Sequence, residues 1–163
     1  MSPGALLLAR LSDPEKLVPA AEVLEHSDIV ECWNAVDGHV DLVAKLTSSP
    51  TALLQQMRGL GGITDLNVIE LSDETGTFLC GSALCYSFAF LEVEPGKVKS
   101  IRERLAAIPE VVFCSLKNDS TEIIAAVSGS TFQSVDRIVN EQVRPIDGVL
   151  RLKQDRVINL KQI

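Results

Sequence analysis

The sequence predicts an α+β fold in which two βαββαβ repeats pack sheet against sheet within one chain. Residues 5–71 and 86–160 can each be read as strand, helix, strand, strand, helix and strand. Both repeats also start their first helix with a similar segment, SDPEKL at residues 12–17 and VEPGKV at residues 93–98, at an offset of 81 residues. Self-similarity at a fixed spacing is the sequence signature of repeated structural units.

The first repeat begins with the apolar run Ala5–Leu11, which is typical of a strand covered on both faces. Ser12 or Asp13 can cap the helix that follows. Asp37-Gly38 predicts a tight hairpin in which Gly38 takes a positive φ. The other predicted elements are a strand at Asp28–Val36, a strand at His39–Thr47, a helix capped by Ser48 or Ser49, and a strand at Ile63–Leu71.

The second repeat follows the same order of elements. They are a strand at Tyr86–Glu94, a helix at Pro95–Ala107, strands at Val111–Leu116 and Thr121–Val127 joined through Asn118-Asp119, a helix capped by Ser130, and a strand within Gly148–Leu160. The offset between the repeats grows from 81 to 86 residues at Gly62 and Gly148, so we expect the last helix to be about five residues longer than its counterpart.

The two faces of the strands predict how the repeats pack. On the third strand, Val40 and Leu42 are expected to face the helices, and His39 and Asp41 to face the other way. The first strand is apolar on both faces, and because helices cover only one of them, the other face needs a second sheet. We therefore predict two ferredoxin-like repeats packed sheet-to-sheet as an intrachain dimeric α/β barrel. The predicted boundaries are 1–72 for the first repeat, 73–85 for a linker and 86–163 for the second repeat.

Composition limits the classes of function. The chain has 163 residues and a net charge of −7, without the clustered Lys and Arg that a phosphate-binding surface needs. We therefore expect no direct binding to nucleic acid. No apolar run approaches the roughly 20 residues that span a bilayer, and the start lacks the basic region of a signal peptide. These features predict a cytoplasmic protein that does not bind a membrane.

No pattern of catalytic or metal-binding residues is found. The four cysteines form no C-x-x-C pair, and His26 and His39 do not complete a metal-ligand spacing. The sequence also lacks a G-x-S-x-G elbow, a P-loop and a Cys–His pair with the spacing of a nucleophile and its base. We predict no catalytic residues, no metal, no cofactor and no enzymatic activity.

The segment DGHVDLVAKL at residues 37–46, together with EPGKV at 94–98 and IPEVV at 108–112, resembles the effector domain of the Lrp/AsnC family, often named the RAM domain. The resemblance covers nearly the whole chain, twice. It implies a dimeric α/β barrel that assembles further and binds an amino acid or a similar small effector at subunit interfaces. It also implies a ligand-binding role for Gly38 and Asp41, with His39 and Val40 between them.

Two features depart from the family pattern. The family's regulators begin with a helix-turn-helix DNA-binding domain, whereas the first strand here starts by about residue 5, so we expect a tandem RAM protein without that domain. The second repeat reads NDSTEI at residues 118–123, where Asp119 replaces the glycine and Glu122 keeps the carboxylate. Asp119 and Glu122 are therefore candidates for a second, altered binding site.

The hairpin motif has a possible physical role and a simpler alternative. A carboxylate and free backbone N–H groups at a turn can hold the ammonium and carboxylate groups of an amino acid. Alternatively, Gly38 only makes the turn, Asp41 only accepts a hydrogen bond from it, and His39 is a surface residue.

Three functional hypotheses follow. The leading one is a stand-alone effector-binding and oligomerisation module of the Lrp/AsnC type, which binds an amino acid and forms a homo-oligomer or a mixed assembly with related regulators. The second is a tandem ACT-like amino-acid-binding protein, in which Pro95 and Gly96 matter more than Gly38 and the sheets lie side by side. The third is an α/β-barrel enzyme, monooxygenase-like or tetrapyrrole-modifying, which a deep polar cavity between the sheets would favour.

Overall fold

Antiparallel strands close into a barrel in the computed structural model, which describes residues 4–78, 85–117 and 120–158. Within those ranges, the strands are β1 (Ala5–Leu11), β2 (Val30–Asp37), β3 (Leu42–Leu46), β4 (Ile63–Gly76), β5 (Cys85–Val93), β6 (Val111–Lys117), β7 (Glu122–Gly129) and β8 (Val149–Ile158). The helices are α1 (Leu17–Glu25), α2 (Thr51–Gly59), α3 (Val98–Ala106) and α4 (Phe132–Ile138). None of the helices in these ranges is both long and apolar enough to cross a bilayer.

The order of strands around the barrel is β1-β3-β2-β8-β5-β7-β6-β4. Each half therefore has the ferredoxin-like order, β4-β1-β3-β2 in the first and β8-β5-β7-β6 in the second. The α+β barrel predicted from the sequence is confirmed. A closed barrel differs from the side-by-side sheets expected for the ACT-like alternative.

The starts of the first helices are alike in the two halves. Each helix is preceded by a 3-10 turn, Pro14–Lys16 before α1 and Pro95–Lys97 before α3. In each half the chain is held to the glycine before the last strand, because Ser12 N–H donates to the Gly62 carbonyl and Glu94 N–H to the Gly148 carbonyl, both at 2.8 Å. Both glycines have positive φ, 72° and 101°. Descent of the halves from one duplicated unit remains a proposal.

Three apolar clusters form the core. One lies inside the barrel, and its buried members come from both halves: Leu6, Leu8, Val36, Val40, Val43, Ile69, Leu71, Phe78, Tyr86, Phe88, Phe113, Ile124 and Ala126. The other two lie between the outer faces of the strands and the helices of each half. Val40 belongs to the interior cluster, so the prediction that it faces the helices was wrong.

The helix caps differ in detail from those predicted. Asp13 does cap the first turn, since its Oδ1 accepts from Glu15 N–H at 3.0 Å. However, Pro50 rather than a serine precedes α2, and the cap of α4 is Thr131, whose Oγ1 accepts from Ser134 N–H at 3.0 Å. After α4 the chain continues as a π-helical turn at Val139–Val143, which lengthens this helical segment as expected from the changed offset.

The halves meet at two seams. At the first, Leu71–Gly76 of β4 pairs with β6, with a register shift between Ser72 and Thr75. The carbonyl groups freed by this irregularity accept hydrogen bonds from side chains. Ser115 Oγ donates to the Ser72 carbonyl at 2.9 Å, and the Arg102 guanidinium donates to the Asp73 carbonyl. β4 thus continues into the segment 73–85 that was predicted to be a linker.

The second seam is shorter and joins β2 to β8. Up to residue 158, where the described part of this half ends, the ladder has three residue pairs, Ala35 with Ile158, Val36 with Val157 and Asp37 with Arg156. Below Asp37 the chain leaves β2 and crosses to β3 through residues 38–41, so closure on this side depends on other contacts.

We expect Gly76→Ala to destabilise the first seam. Gly76 has φ 78°, and a Cβ atom there would lie 2.1 Å from the Val112 carbonyl oxygen, which belongs to the backbone and cannot move aside cheaply. The backbone strain alone corresponds to roughly 1–3 kcal/mol. Urea denaturation should give a lower free energy of unfolding for Gly76→Ala. The control is Gly59→Ala in α2, where a Cβ meets nothing within 4 Å and the change should be neutral or slightly stabilising. Equal stability of the two variants would contradict this account of the seam.

Candidate functional site

A cavity of about 440 Å³ lies at one end of the barrel, and both halves line it. Its apolar residues include Leu8 and Ile69 from the first half and Phe90 and Ile124 from the second. Charged side chains surround them: Glu92, Lys117, Glu122, Arg151 and Lys153. The arrangement provides an apolar floor below a ring of both charges, which is a more polar lining than most small-molecule sites have.

The charges of the ring are partly paired. Lys117 Nζ lies 3.1 Å from Glu122 Oε2, and Arg151 Nε lies 3.9 Å from Glu92 Oε2. These partly exposed pairs contribute little to stability, because water screens them. Lys153 forms no ion pair within residues 4–78, 85–117 and 120–158. One cation of the ring is therefore available to a ligand.

A buried carboxylate holds the histidine of the cavity. Asp155 is completely buried, and its Oδ1 accepts from His39 N–H at 3.0 Å and from His39 Nδ1 at 2.9 Å. Its Oδ2 lies 2.8 Å from the same Nδ1 but has no well-aligned hydrogen bond to any described residue. A buried charge is tolerated only when it is paired, so the imidazole is the partner that makes Asp155 possible. The His39 ring also meets Phe90 edge to face, with centroids 4.7 Å apart.

A glycine is needed at position 38 because the Asp155 carboxylate lies very close to it, and not because residue 38 has a positive φ. The prediction of a positive φ at Gly38 was wrong, since the glycines with positive φ in the described chain are Gly61, Gly62, Gly76 and Gly148. Instead, a Cβ on Gly38 would lie 2.1 Å from Asp155 Oδ1 and 2.9 Å from Asp155 Cα. The connection between β2 and β3 is also longer than the predicted tight hairpin and spans residues 38–41.

Asp41 and Val40 do not line the cavity. Asp41 Oδ2 accepts from Leu11 N–H at 2.7 Å, and Asp41 N–H donates to the Ala9 carbonyl at 2.8 Å. These bonds hold the end of β1, where the pairing with β4 shifts between Arg10 and Leu11. Val40 is buried in the interior cluster. Asp41 therefore accepts a hydrogen bond, as the simpler alternative expected. The donor, however, is Leu11 N–H and not the turn at Gly38.

Two of the six predicted site residues meet in the cavity. His39 comes from the first half and Glu122 from the start of β7 in the second half. Asp119 lies outside the described residues. Gly38, Val40 and Asp41 do not line the cavity. The hairpin motif thus contributes through His39, and its other members support the position of that residue.

Sequence reasoning missed the residues of β8. Arg151, Lys153 and Asp155 alternate along this strand and therefore share one face, which the pairing with Glu92, Phe90 and Phe88 turns toward the barrel interior. The signal was present as charged residues at every second position of a strand. It could not be used without knowing that β8 pairs on both sides and that its charged face points inward.

The resolved pKa shifts among the described residues lie away from the cavity. Burial raises the pKa of the Cys114 thiol to about 11, so this cysteine stays protonated and unreactive at neutral pH. Hydrogen bonding between Lys97 and Asp147 raises the pKa of the lysine and lowers that of the aspartate on the surface. No three His, Cys, Asp or Glu side chains come together as a metal site would need in the part of the chain that the structure describes.

Charged and aromatic side chains of the described residues meet at the opposite end of the barrel. Lys45 extends inward, with its Nζ 2.7 Å from Glu74 Oε1 and 5.3 Å from the centroid of the Phe113 ring. Nearby, the Tyr86 hydroxyl donates to the Asn34 side chain inside the barrel. Lys45 is thus a cation that is paired with a carboxylate and lies over an aromatic ring.

Comparison with known proteins connects this geometry to a family. Residues 87–159 match the family described as the Lrp/AsnC ligand binding domain. The second half of the chain is therefore similar to an Lrp/AsnC ligand-binding domain. Two HTH-type transcriptional regulators, both uncharacterized, align with 76 residues of the chain: 28% are identical in the protein from Pyrococcus horikoshii and 26% in that from Pyrococcus abyssi. The aligned part is 47% of this chain and 48% of each relative, so the chain spans about half the length of the curated relatives it matches.

Solved structures with the same fold include an enzyme and a regulator. The siroheme decarboxylase NirDL aligns with 94% of this chain and 70% of its own chain, with a TM-score of 0.76 and 10% identity. A major regulator of staphylococcal pathogenesis aligns with 96% of this chain and 99% of its own, with a TM-score of 0.60 and 8% identity. At such identities the likeness concerns the fold alone. The segment that matches the Lrp/AsnC model thus lies in a barrel whose fold is shared by an enzyme and by a regulator.

The contact between Gly38 and Asp155 should appear as an energetic coupling. We expect Gly38→Ala to destabilise the protein, because its Cβ would overlap the Asp155 carboxylate. Asp155→Ala removes that carboxylate, so Gly38→Ala should cost less in the Asp155→Ala background. Directly contacting residues show coupling energies of roughly 0.5–3 kcal/mol. Urea denaturation of the wild type, both single variants and the double variant measures this energy, and additive costs would contradict the contact.

Proposed function

We propose that the chain is an effector-binding module of the Lrp/AsnC type and that it binds an amino acid in the cavity at the end of the barrel. The observation that carries this proposal is the composition of the cavity, where residues of both halves form an apolar floor under a ring of acidic and basic side chains. A zwitterion with an apolar side chain has the complementary distribution of groups.

The size of the cavity supports a ligand of this class. Small-molecule sites usually measure about 300–1,000 Å³, and this cavity of about 440 Å³ lies near the lower end of that range. An amino acid fits such a volume with its side chain against Leu8, Ile69 and Ile124. Its charged end would then lie at the level of Glu122, Lys153 and His39.

The residues of the hairpin motif take different roles in this proposal. His39 and Glu122 face the ligand directly, whereas Gly38 and Asp41 act by holding the loop and the end of β1. Arg10 supports the same loop, because its Nη1 donates to the His39 carbonyl at 3.0 Å. A direct ligand contact by Asp41 or Asp119 remains a prediction from the sequence.

Assembly with further subunits also belongs to the proposal. The described strands each pair on both sides, so added subunits cannot join by extending the sheet. A homo-oligomer, or a mixed assembly with related regulators, would therefore form through helix faces and loops. The loop of residues 38–41 lies between the ligand site and the surface, which gives ligand binding a direct route to such contacts.

We expect at least one of the twenty amino acids to raise the melting temperature of the protein. A ligand at one hundred times its Kd stabilises a protein by about 2.7 kcal/mol, which a thermal-shift measurement detects easily. Asn67→Trp should abolish the shift, because Asn67 is an exposed residue of the cavity and an indole there would fill the opening. Leu150→Trp on the outer, exposed face of β8 is the matched control and should keep it.

The absence of a shift with all twenty amino acids would count against the amino-acid proposal. An unchanged shift in Asn67→Trp would place the binding site elsewhere. Native mass spectrometry of the same samples reports both the bound mass and the oligomeric state.

Substitution of Asp41 separates a structural role from direct ligand contact. Asp41→Ala should lower the free energy of unfolding by about 1–3 kcal/mol, because Leu11 N–H loses its acceptor. Asp41→Asn keeps an acceptor oxygen and should retain most of the stability and also amino-acid affinity. Denaturation and calorimetric titration measure the two quantities. Loss of affinity in a stable Asp41→Asn protein would instead support the direct contact predicted from the sequence.

A second candidate function is an enzyme, favoured by the His39–Asp155 pair. An imidazole held by a carboxylate and facing a cavity can transfer a proton to or from a bound molecule. The corresponding test is incubation of the purified protein with siroheme, followed by mass spectrometry for loss of CO₂. A tetrapyrrole is much larger than an amino acid, so the volume of the cavity favours the effector-binding proposal.

A further inference from the structure

We infer that the cavity recognises its ligand by a carboxylate group, which His39 and Lys153 hold together while Asp155 positions His39. This inference rests on the proposed function, because it concerns the same cavity. It specifies the chemical class of the ligand as a small organic acid with an apolar body and assigns the anion-binding side chains.

The pairing of the charged side chains in the cavity supports the binding of an anionic group there. Lys117 and Arg151 each have a carboxylate partner at 3.1 Å and 3.9 Å, respectively. Lys153 has no such partner among the described residues, and the residue paired with it on β5 is the apolar Phe90. The cavity therefore contains a cation whose counter-charge has to come from solvent or from a ligand.

The strand register brings Lys153 close to His39. Lys153 and Asp155 are separated by one residue on β8, so their side chains point to the same side of the sheet. Lys153 lies opposite Phe90, and Asp155 lies opposite Phe88. Because the His39 ring is bound to Asp155 and meets the Phe90 ring edge to face, His39 contacts the residue that is paired with Lys153.

The hydrogen bond to Asp155 decides which atom of His39 faces the ligand. A carboxylate can only accept, so Nδ1 carries the hydrogen in the bond to Asp155. The remaining ring nitrogen, Nε2, is the one available to the cavity, where the ring is 28% exposed. In the imidazolium form both ring nitrogens donate, and His39 then bridges Asp155 and the carboxylate of the ligand.

Asp155 is a positioning residue in this arrangement. It touches His39 but is completely buried below it and does not line the cavity. Its two bonds to one residue, from the backbone N–H and from Nδ1, fix both the loop and the ring. Gly38 allows the close approach on which this fixation depends.

The test compares two probes of the same shape, 4-methylpentanoate and the neutral 4-methylpentanamide, by calorimetric and NMR titration of the full chain. We expect the acid to bind at least tenfold more tightly than the amide. The His39 ring nitrogens should move to imidazolium shifts with the acid only. In Lys153→Met and His39→Gln the preference should fall to about threefold or less. Lys99→Met, at an exposed position of α3, is the matched control and should keep the full preference.

Asp155→Asn tests the positioning role. It should lose the imidazolium signature and most of the preference for the acid, while any binding of the amide stays within about threefold. If this variant does not fold, the exposed Lys153→Met variant still tests the anion site. Equal affinity for the two probes in the wild type would overturn the inference but leave the proposed function intact. Signals of Phe90 and Ile124 that respond to neither probe and to no amino acid would overturn both.

Discussion

The contact between the Asp155 carboxylate and residues 38–39 is the interaction on which the rest of the site depends. The described part of the seam between β2 and β8 has three residue pairs, and beyond Asp37 the two halves are joined by this buried carboxylate. The same bonds orient the His39 ring toward the cavity, and the close approach of Asp155 makes a side chain at position 38 costly. The Asp155 carboxylate therefore joins the two halves, favours a glycine at position 38 and orients the His39 side chain toward the cavity. Because a buried carboxylate is stable only while it is paired, none of these features can change independently.

The position of the cavity also links ligand binding to the stability of the barrel. Its apolar floor and its charged ring both contain residues from each half, so a bound molecule contacts both sides of a seam. At the other end of the barrel, Lys45 pairs with Glu74 and lies over the Phe113 ring. A ligand that binds only to the closed barrel stabilises it by mass action. The loop of residues 38–41, which includes His39, connects the cavity with the surface of the protein. This is the physical basis on which a small molecule could alter assembly.

Much of the fold was predictable from local patterns, and most of the site was not. The turns at Pro14 and Pro95, the glycines at 62 and 148 and the apolar strands gave the order of elements, because these signals act within a few residues. His39 was named for its place in a family motif, yet its partner Asp155 is 116 residues away along the chain. The reason for Gly38 was misjudged for the same cause, since nothing in its neighbourhood specifies a close approach from β8. Contacts of this kind depend on the register between distant strands, which one sequence does not reveal.

The barrel places Ile69 and Asp155 at matching positions of its two halves, opposite Leu6 and Phe88. In a barrel formed by two identical chains, any substitution occurs twice around the symmetry axis. An aspartate at this position would then place two carboxylates in one apolar interior, and each of them would need a histidine as its partner. A barrel made from one chain is free of this constraint, so a charge that is too costly in pairs can be kept once. Joining the halves covalently thereby widens the set of chemical environments that the same fold can hold.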